Sequence, residues 1–148
     1  MRCASIDRGR AFDWGKTSQS YAKYRDIYPE EFYEHVRAAG IGLPGQEILD
    51  IGTGTGVLPR HMARYGAHFT GADLSENQIA EARRLTAEAG LSIDYFVCPA
   101  EEIDFPDGSF DAVTACQCFW YFDKAVLLPR IARMLKPGGR LCVLTMNW

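Results

Sequence analysis

Apolar residues recur along this chain with two alternating rhythms. From Thr17 to Gly40 the rhythm is helical and aromatic, with Tyr21, Tyr24, Arg25 and Tyr28 leading to Pro29. Pro29 suits the first turn of a second helix, in which Phe32, Val36 and Ala39 recur at helical spacing and Gly40 forms the C-terminal stop. Strand-like and helix-like segments then alternate. Glu47 to Ile51, Ala67 to Ala72, Ile93 to Val97, Phe110 to Ala115 and Arg140 to Met146 read as strands. Val57 to Tyr65, a segment opened by Ser75 and closed by Gly90, and Asp123 to Leu135 read as helices. Ile79, Ala82, Leu85 and Ala89 predict the inner face of the second of these, with Ser75 as its N-cap. Val126, Leu127, Ile131, Met134 and Leu135 predict that of the third. Strands alternating with helices predict right-handed crossovers and a doubly wound α/β fold: a mostly parallel five-stranded sheet with helices on both faces.

Composition narrows the picture without redirecting it. The 148 residues suit one core, and 47% hydrophobic with 24% charged residues is ordinary for a globular protein. A net charge of -3 gives no electrostatic reason to expect nucleic acid or an anionic membrane as partner. No apolar run approaches the ~20 residues of a membrane span. The N-terminal segment lacks the apolar stretch of a secretory signal, so a cytoplasmic setting is expected. The five cysteines are odd in number, and Cys98, Cys116, Cys118 and Cys142 lie in or beside apolar segments, as free thiols do. The Cys116-Gln117-Cys118 spacing is narrower than zinc pairs use, and no metal is expected.

The chemistry concentrates in Leu49 to Leu58, LDIGTGTGVL, where Gly52, Gly54 and Gly56 follow the first strand and precede the first helix. A single glycine would satisfy a tight turn. Three at alternate positions let a ligand lie against bare backbone, at the edge of a parallel sheet where ligands bind. The dinucleotide spacing fails, because its last position falls on Val57 or Pro59, and the phosphate-loop Lys-Ser/Thr is missing. Asp50, two residues before Gly52, is poorly placed beside a pyrophosphate and well placed for an ammonium group. The ligand is therefore expected to be nucleoside-like and positively charged. Asp73 follows Asp50 at about the ~20-residue interval of an acid that binds a ribose diol.

EILDIGTGTGVL, GADLS, PAEEIDFPDGSFDAV and LKPGGRL, in this order and spacing, resemble a class I S-adenosylmethionine-dependent methyltransferase of the type 11 group, over about Tyr21 to Met146. The resemblance implies a Rossmann-like fold and S-adenosylmethionine as cofactor. It also implies roles. The backbone of Gly52, Thr53, Gly54 and Gly56 cradles the methionine portion, and Asp50 faces its amino group. Asp73 binds the ribose hydroxyls and Leu74 packs on adenine. Ala100 and Glu101 lie at the adenine edge. Cys116 and Gln117 face the transferring methyl. Tyr21 and Arg25 belong to a segment that covers the pocket. Relatives often carry Asp where this chain has Pro99, which leaves two readings for adenine: Glu101 substitutes, or backbone and packing alone hold it.

A sulfonium is already an activated methyl donor, so alignment supplies much of the rate effect and no general base is identified. His35, His61 and His68 are candidates by type only. Phe119-Trp120-Tyr121-Phe122 reads equally as packing for the next helix or as a wall of the acceptor pocket. The expected function is methyl transfer to a small-molecule acceptor. A cofactor-binding module without turnover and an NAD-dependent oxidoreductase are the alternatives. The expected division is a helical cap over residues 1–45 and a C-terminally incomplete core over 46–148. The last strand, apolar and unblocked after Arg140, is expected to pair two chains in a homodimer.

Overall fold

Ile48, Leu49 and Ile51 are all completely buried, which places the strand they occupy at the centre of the molecule. In the computed structural model, which describes residues 28–146, that strand is β1 (Glu47–Ile51), paired in parallel along its length with β2 (His68–Asp73) on one side and β4 (Phe110–Cys116) on the other. Adding β3 (Asp94–Val97) and β5 (Leu135–Leu144) gives a parallel five-stranded sheet in the order β3-β2-β1-β4-β5. The chain steps outward from β1 to β3, then crosses back to lay β4 on the opposite side of β1. This reversal creates a switch point between β1 and β4.

Strand pleating sends alternate residues to opposite faces. Ile48 and Phe69 meet α1 (Glu30–Ala38) and α2 (Val57–Met62), through Tyr33, Val36, Leu58 and Met62. On the same side Tyr95 meets Ile79 and Ala82 of α3 (Glu76–Glu88). Leu49, Ile51, Val113 and Ala115 face the other way, onto Leu127, Ile131 and Met134 of α4 (Lys124–Met134). The Ser75 hydroxyl accepts from the Gln78 N–H, and the Asp123 carboxylate accepts from the Ala125 N–H, so both helices begin with side-chain caps.

Several expectations require adjustment. The inner face of α1 is Tyr33 and Val36, with Phe32 half-buried and Ala39 exposed. Tyr33 stacks on His61 of α2 at 4.7 Å, while Val36 is buried as expected and Phe32 packs against the same cluster. Ala89 and Val126 are exposed. The segment Val57 to Tyr65 is a helix only to Met62 and tightens into a 3-10 turn over Ala63–Tyr65. β5 begins at Leu135, with residues 136–139 bulged out before pairing with β4 resumes at Arg140. Among the described cysteines, Cys98, Cys116, Cys118 and Cys142 are free thiols, and Cys118 is buried.

His68 opens β2 at the edge of the sheet opposite the glycine loop. Its Nδ1 lies 2.6 Å from Glu47 on β1 and its Nε2 3.1 Å from Asp94 on β3, a charged tie across three strands. The Glu47 hydrogen bond, ahead of a smaller opposing effect of burial, pushes the imidazole above its ordinary value. A folded value above the unfolded one contributes stability that is complete below the unfolded value of ~6.5 and is lost as pH rises through the folded value. All three side chains are well exposed, so the contribution is below about 1 kcal/mol. His68→Gln is expected to lower the urea midpoint at pH 5.5 and leave it nearly unchanged at pH 9, measured by tryptophan fluorescence.

Candidate functional site

The carboxyl ends of β1, β2 and β4 meet at the switch point, and the chain leaves β1 there through Gly52, Thr53, Gly54, Thr55 and Gly56. Gly52, Gly54 and Gly56 have φ of +61°, +59° and +75°. This left-handed conformation is costly for residues with a Cβ, so alternate glycines are what permit the loop to fold this tightly. Space matters as much at Gly52, where a Cβ would lie 2.8 Å from Cys118 Sγ and 3.1 Å from the Phe122 ring. The loop is tied down by its own backbone: the Thr53 N–H donates to the Ala72 carbonyl, and the Gly56 N–H donates to the Thr53 carbonyl, both at 2.9 Å.

Two acids frame this loop. Asp50, the penultimate residue of β1, is buried, and the Thr114 hydroxyl on β4 donates to its Oδ1 at 2.6 Å. Burial pushes the Asp50 carboxyl up to about 7. The Thr114 and Thr53 hydroxyls oppose the rise, and the nearby Asp73 carboxylate adds to it. Asp73, the last residue of β2, is half-buried. Its Oδ2 accepts from the Gly54 N–H at 3.0 Å and its Oδ1 from the Ser75 N–H at 2.9 Å. Burial raises the Asp73 carboxyl and these backbone donors oppose the rise. Asp73 thus braces the glycine loop and the start of α3 while its carboxylate keeps lone-pair capacity for a hydroxyl donor.

Neighbouring positions extend the site along the sheet edge. Leu74 is 47% exposed and follows Asp73 directly. The Cys98 N–H donates to the Asp73 carbonyl, which brings the end of β3 beside the end of β2. Pro99 then leads into a 3-10 turn whose first residue, Ala100, is buried. Glu101 Oε1 accepts from the Asp123 N–H at 2.9 Å, linking this turn to the entrance of α4. Cys116 ends β4 with its Sγ 3.9 Å from the Tyr28 hydroxyl. Gln117 follows with φ of +59°, and its side-chain Nε2 donates to the Met146 carbonyl at 3.2 Å. Such a conformation is uncommon for glutamine and places a strained residue at the ligand edge of the sheet. Tyr21 and Arg25 lie outside the described residues.

The aromatic run divides between its two readings. Phe119, Tyr121 and Phe122 pack against the core beneath α4, whereas Trp120 is 52% exposed. The histidines sit in structural roles. His61 Nδ1 is 2.7 Å from the Val57 carbonyl within α2, His68 lies at the opposite edge, and His35 is in the exposed last turn of α1. Thr114 was not singled out by sequence reasoning, although a hydroxyl inside the apolar run from Ala112 to Cys116 is a readable signal. Tyr95 was also missed. It stands opposite Gly71 in the sheet, and its hydroxyl and the Thr86 hydroxyl are hydrogen-bonded at 2.8 Å.

Among protein families, one described as "Methyltransferase domain" matches residues 49–143. The chain is 36% identical over 139 residues to a ubiquinone biosynthesis O-methyltransferase of Aromatoleum aromaticum, covering 93% of this chain and 58% of that protein. It therefore spans about half the length of the curated relatives it matches. A solved phosphoethanolamine N-methyltransferase 2 of Haemonchus contortus, in complex with phosphomonomethylethanolamine and S-adenosylhomocysteine, is 30% identical with a TM-score of 0.73, over 87% of this chain and 32% of that one. The 4+2 cyclase SpnF is 32% identical with a TM-score of 0.71, over 76% of this chain and 43% of that one.

Because the folded value of Asp50 lies above the unfolded one of ~3.9, its neutral form stabilises the fold at low pH. That stability is lost as pH rises toward and through about 7. Asp50→Asn keeps an acceptor for Thr114 and removes the titration. It is expected to raise the thermal midpoint of the ligand-free chain at pH 8 by at least about 3 °C while leaving it close to the parent at pH 4, read by differential scanning fluorimetry.

Proposed function

This chain belongs to the class I S-adenosylmethionine-dependent methyltransferases, and from that premise we propose that it transfers a methyl group to a small-molecule acceptor. The observation that carries the proposal is the pair of acids around the glycine loop. Asp50 is held near neutrality by burial beside a second carboxylate, Asp73. An ammonium group arriving there relieves that repulsion and draws Asp50 into its charged form, so the residues present fit a cationic, nucleoside-like cofactor better than a polyphosphate. When bound, S-adenosylmethionine supplies an activated methyl on a sulfonium.

The chain's own residues bind, orient and shield. The Gly52, Thr53, Gly54 and Gly56 backbone offers a surface without side chains for the methionine portion, and Asp50 holds its amino group. Asp73 uses its remaining lone pairs for the ribose hydroxyls. Leu74 packs on adenine, with Ala100 and Glu101 at the ring's edge. The Asp123 N–H orients Glu101 through one oxygen and leaves the carboxylate further lone pairs for the adenine amine, so both readings of adenine stand. Cys116 and Gln117 line the methyl end, and Trp120 is the member of the aromatic run available to an acceptor. Tyr21 and Arg25, which lie outside the described residues, belong in this reading to a division of residues 1–45, beside a core over residues 46–148. The O-methyltransferase relatives favour an oxygen as accepting atom.

Cofactor binding without methyl transfer is the second reading. The likeness to a cyclase supports it, because the same fold carries a different named chemistry there. Among the described residues no helix is long and apolar enough to cross a membrane. We further propose a cytoplasmic setting, which the free cysteines favour, and a homodimer through β5. That strand forms one edge of the sheet, with Val143 43% exposed.

Calorimetry is expected to detect S-adenosylhomocysteine binding and no NAD binding, and the reverse result sinks the assignment. Asp73→Ala is expected to weaken S-adenosylhomocysteine by about 1.5–3 kcal/mol, the range for hydrogen bonds to a charged group. Asp94→Ala, at the far edge of the sheet, is expected to change it far less. Equal losses would remove Asp73 from the ribose role. Sedimentation at micromolar concentration is expected to give a dimer, and a monomer of 16.6 kDa would show that β5 is protected within one chain.

A further inference from the structure

Tyr95 occupies the space beneath the glycine loop. It stands on β3 directly opposite Gly71 of β2, and its ring lies flat over that position: a Cβ on Gly71 would be 2.8 Å from Tyr95 Cδ1 and 2.9 Å from Cε1. The ring then reaches past β2 to the start of α2, where a Cβ on Gly56 would fall 2.3 Å from the Tyr95 hydroxyl. The same hydroxyl is anchored to Thr86 of α3 in a buried hydrogen bond of 2.8 Å, and the Arg83 side chain donates to the Tyr95 carbonyl at 2.9 Å. The Gly71 site would also crowd Thr53 Oγ1, at 2.9 Å, so the ring and the loop residue Thr53 share one pocket. Tyr95 is 6% exposed and reaches no solvent-facing ligand surface of its own.

We propose that Tyr95 is a positioning residue for the cofactor: its ring is a strut between β3 and the glycine loop that sets the height at which the loop backbone meets the ligand. The inference rests on the reading of that loop as the cofactor's cradle. Two glycines with nothing in common along the sequence, Gly56 and Gly71, are both emptied by the same ring. The loop's own hydrogen bonds, from Thr53 to Ala72 and from Gly56 to Thr53, fix its shape. Contact with a rigid ring tied to α3 fixes its distance from the sheet. A planar aromatic serves this purpose because its ring resists compression.

The test uses the full chain with Tyr95→Leu and Tyr95→Phe, read by amide hydrogen exchange and by calorimetry with S-adenosylhomocysteine. Tyr95→Leu is expected to speed exchange in residues 52–58 while protection in β4 stays at the parental level, and to weaken S-adenosylhomocysteine by at least about tenfold. Tyr95→Phe keeps the ring and is expected to restore both readings to within about threefold of the parent. If Tyr95→Leu does not fold, Tyr95→Met, which also replaces the rigid ring, is expected to give the same local exchange. Parental exchange in residues 52–58 of a folded Tyr95→Leu or Tyr95→Met chain would overturn the proposal, as would Tyr95→Phe proving as damaging as Tyr95→Leu. A parent chain that fails to bind S-adenosylhomocysteine would instead overturn the cofactor assignment, and the exchange readings would still decide whether the strut exists.

Discussion

Parallel pairing of β1 on both sides is the constraint from which the site follows. A strand hydrogen-bonded to β2 and β4 along its length has no freedom to tilt or slide, so the point at which the chain leaves it is fixed. Register then places Asp50 opposite Gly71 on one side and Thr114 on the other, and this single row supplies a buried acid, a hydroxyl donor and a glycine that admits the Tyr95 ring. The loop that follows inherits its direction from the strand and its curvature from left-handed glycines. What varies among proteins of this architecture is what the edge carries, because the sheet itself is committed to holding that edge still.

Burying a carboxylate in the middle of such a sheet opposes folding stability at neutral pH. The buried Asp50 carboxyl keeps one strong hydrogen bond, to Thr114, and faces a second acid. A domain optimised for stability alone would place an apolar residue there, as it does at Leu49 and Ile51 on either side. The exception sits one residue from the ligand edge, where a cation can complete what the protein leaves incomplete. Asp73 solves a different problem with the same chemistry: it stays half-buried, braces two backbone N–H groups, and so belongs as much to the loop's architecture as to any ligand.

The fold was legible because its signals are local. Alternating strand and helix segments, the Ser75 cap and the glycine-rich stretch each announce themselves within a dozen residues, and their order implies a parallel sheet. The acids at the ends of β1 and β2 were legible for the same reason. What escaped depends on partners distant in sequence. Thr114 matters through Asp50, 64 positions away. Tyr95 looked like an ordinary strand aromatic, since only the register reveals that it lies over Gly71. In α1 Val36 was legible from spacing, whereas Tyr33 turns inward to stack on His61, a partner that spacing does not reveal.

The nesting of the Tyr95 ring over Gly71 also constrains how this sequence can drift. Each position is tolerable only in the context of the other: a side chain at 71 collides with the ring, whereas a smaller residue at 95 leaves an empty pocket under the loop. The two sites are therefore epistatic, and the order of change matters. A lineage that shrinks position 95 first passes through a loosened intermediate that a later, larger residue at 71 can refill. A lineage that enlarges position 71 first meets steric conflict at once. Exchange of one packing solution for the other is thus open in one order of substitution and obstructed in the other, a constraint written into a contact between two neighbouring strands.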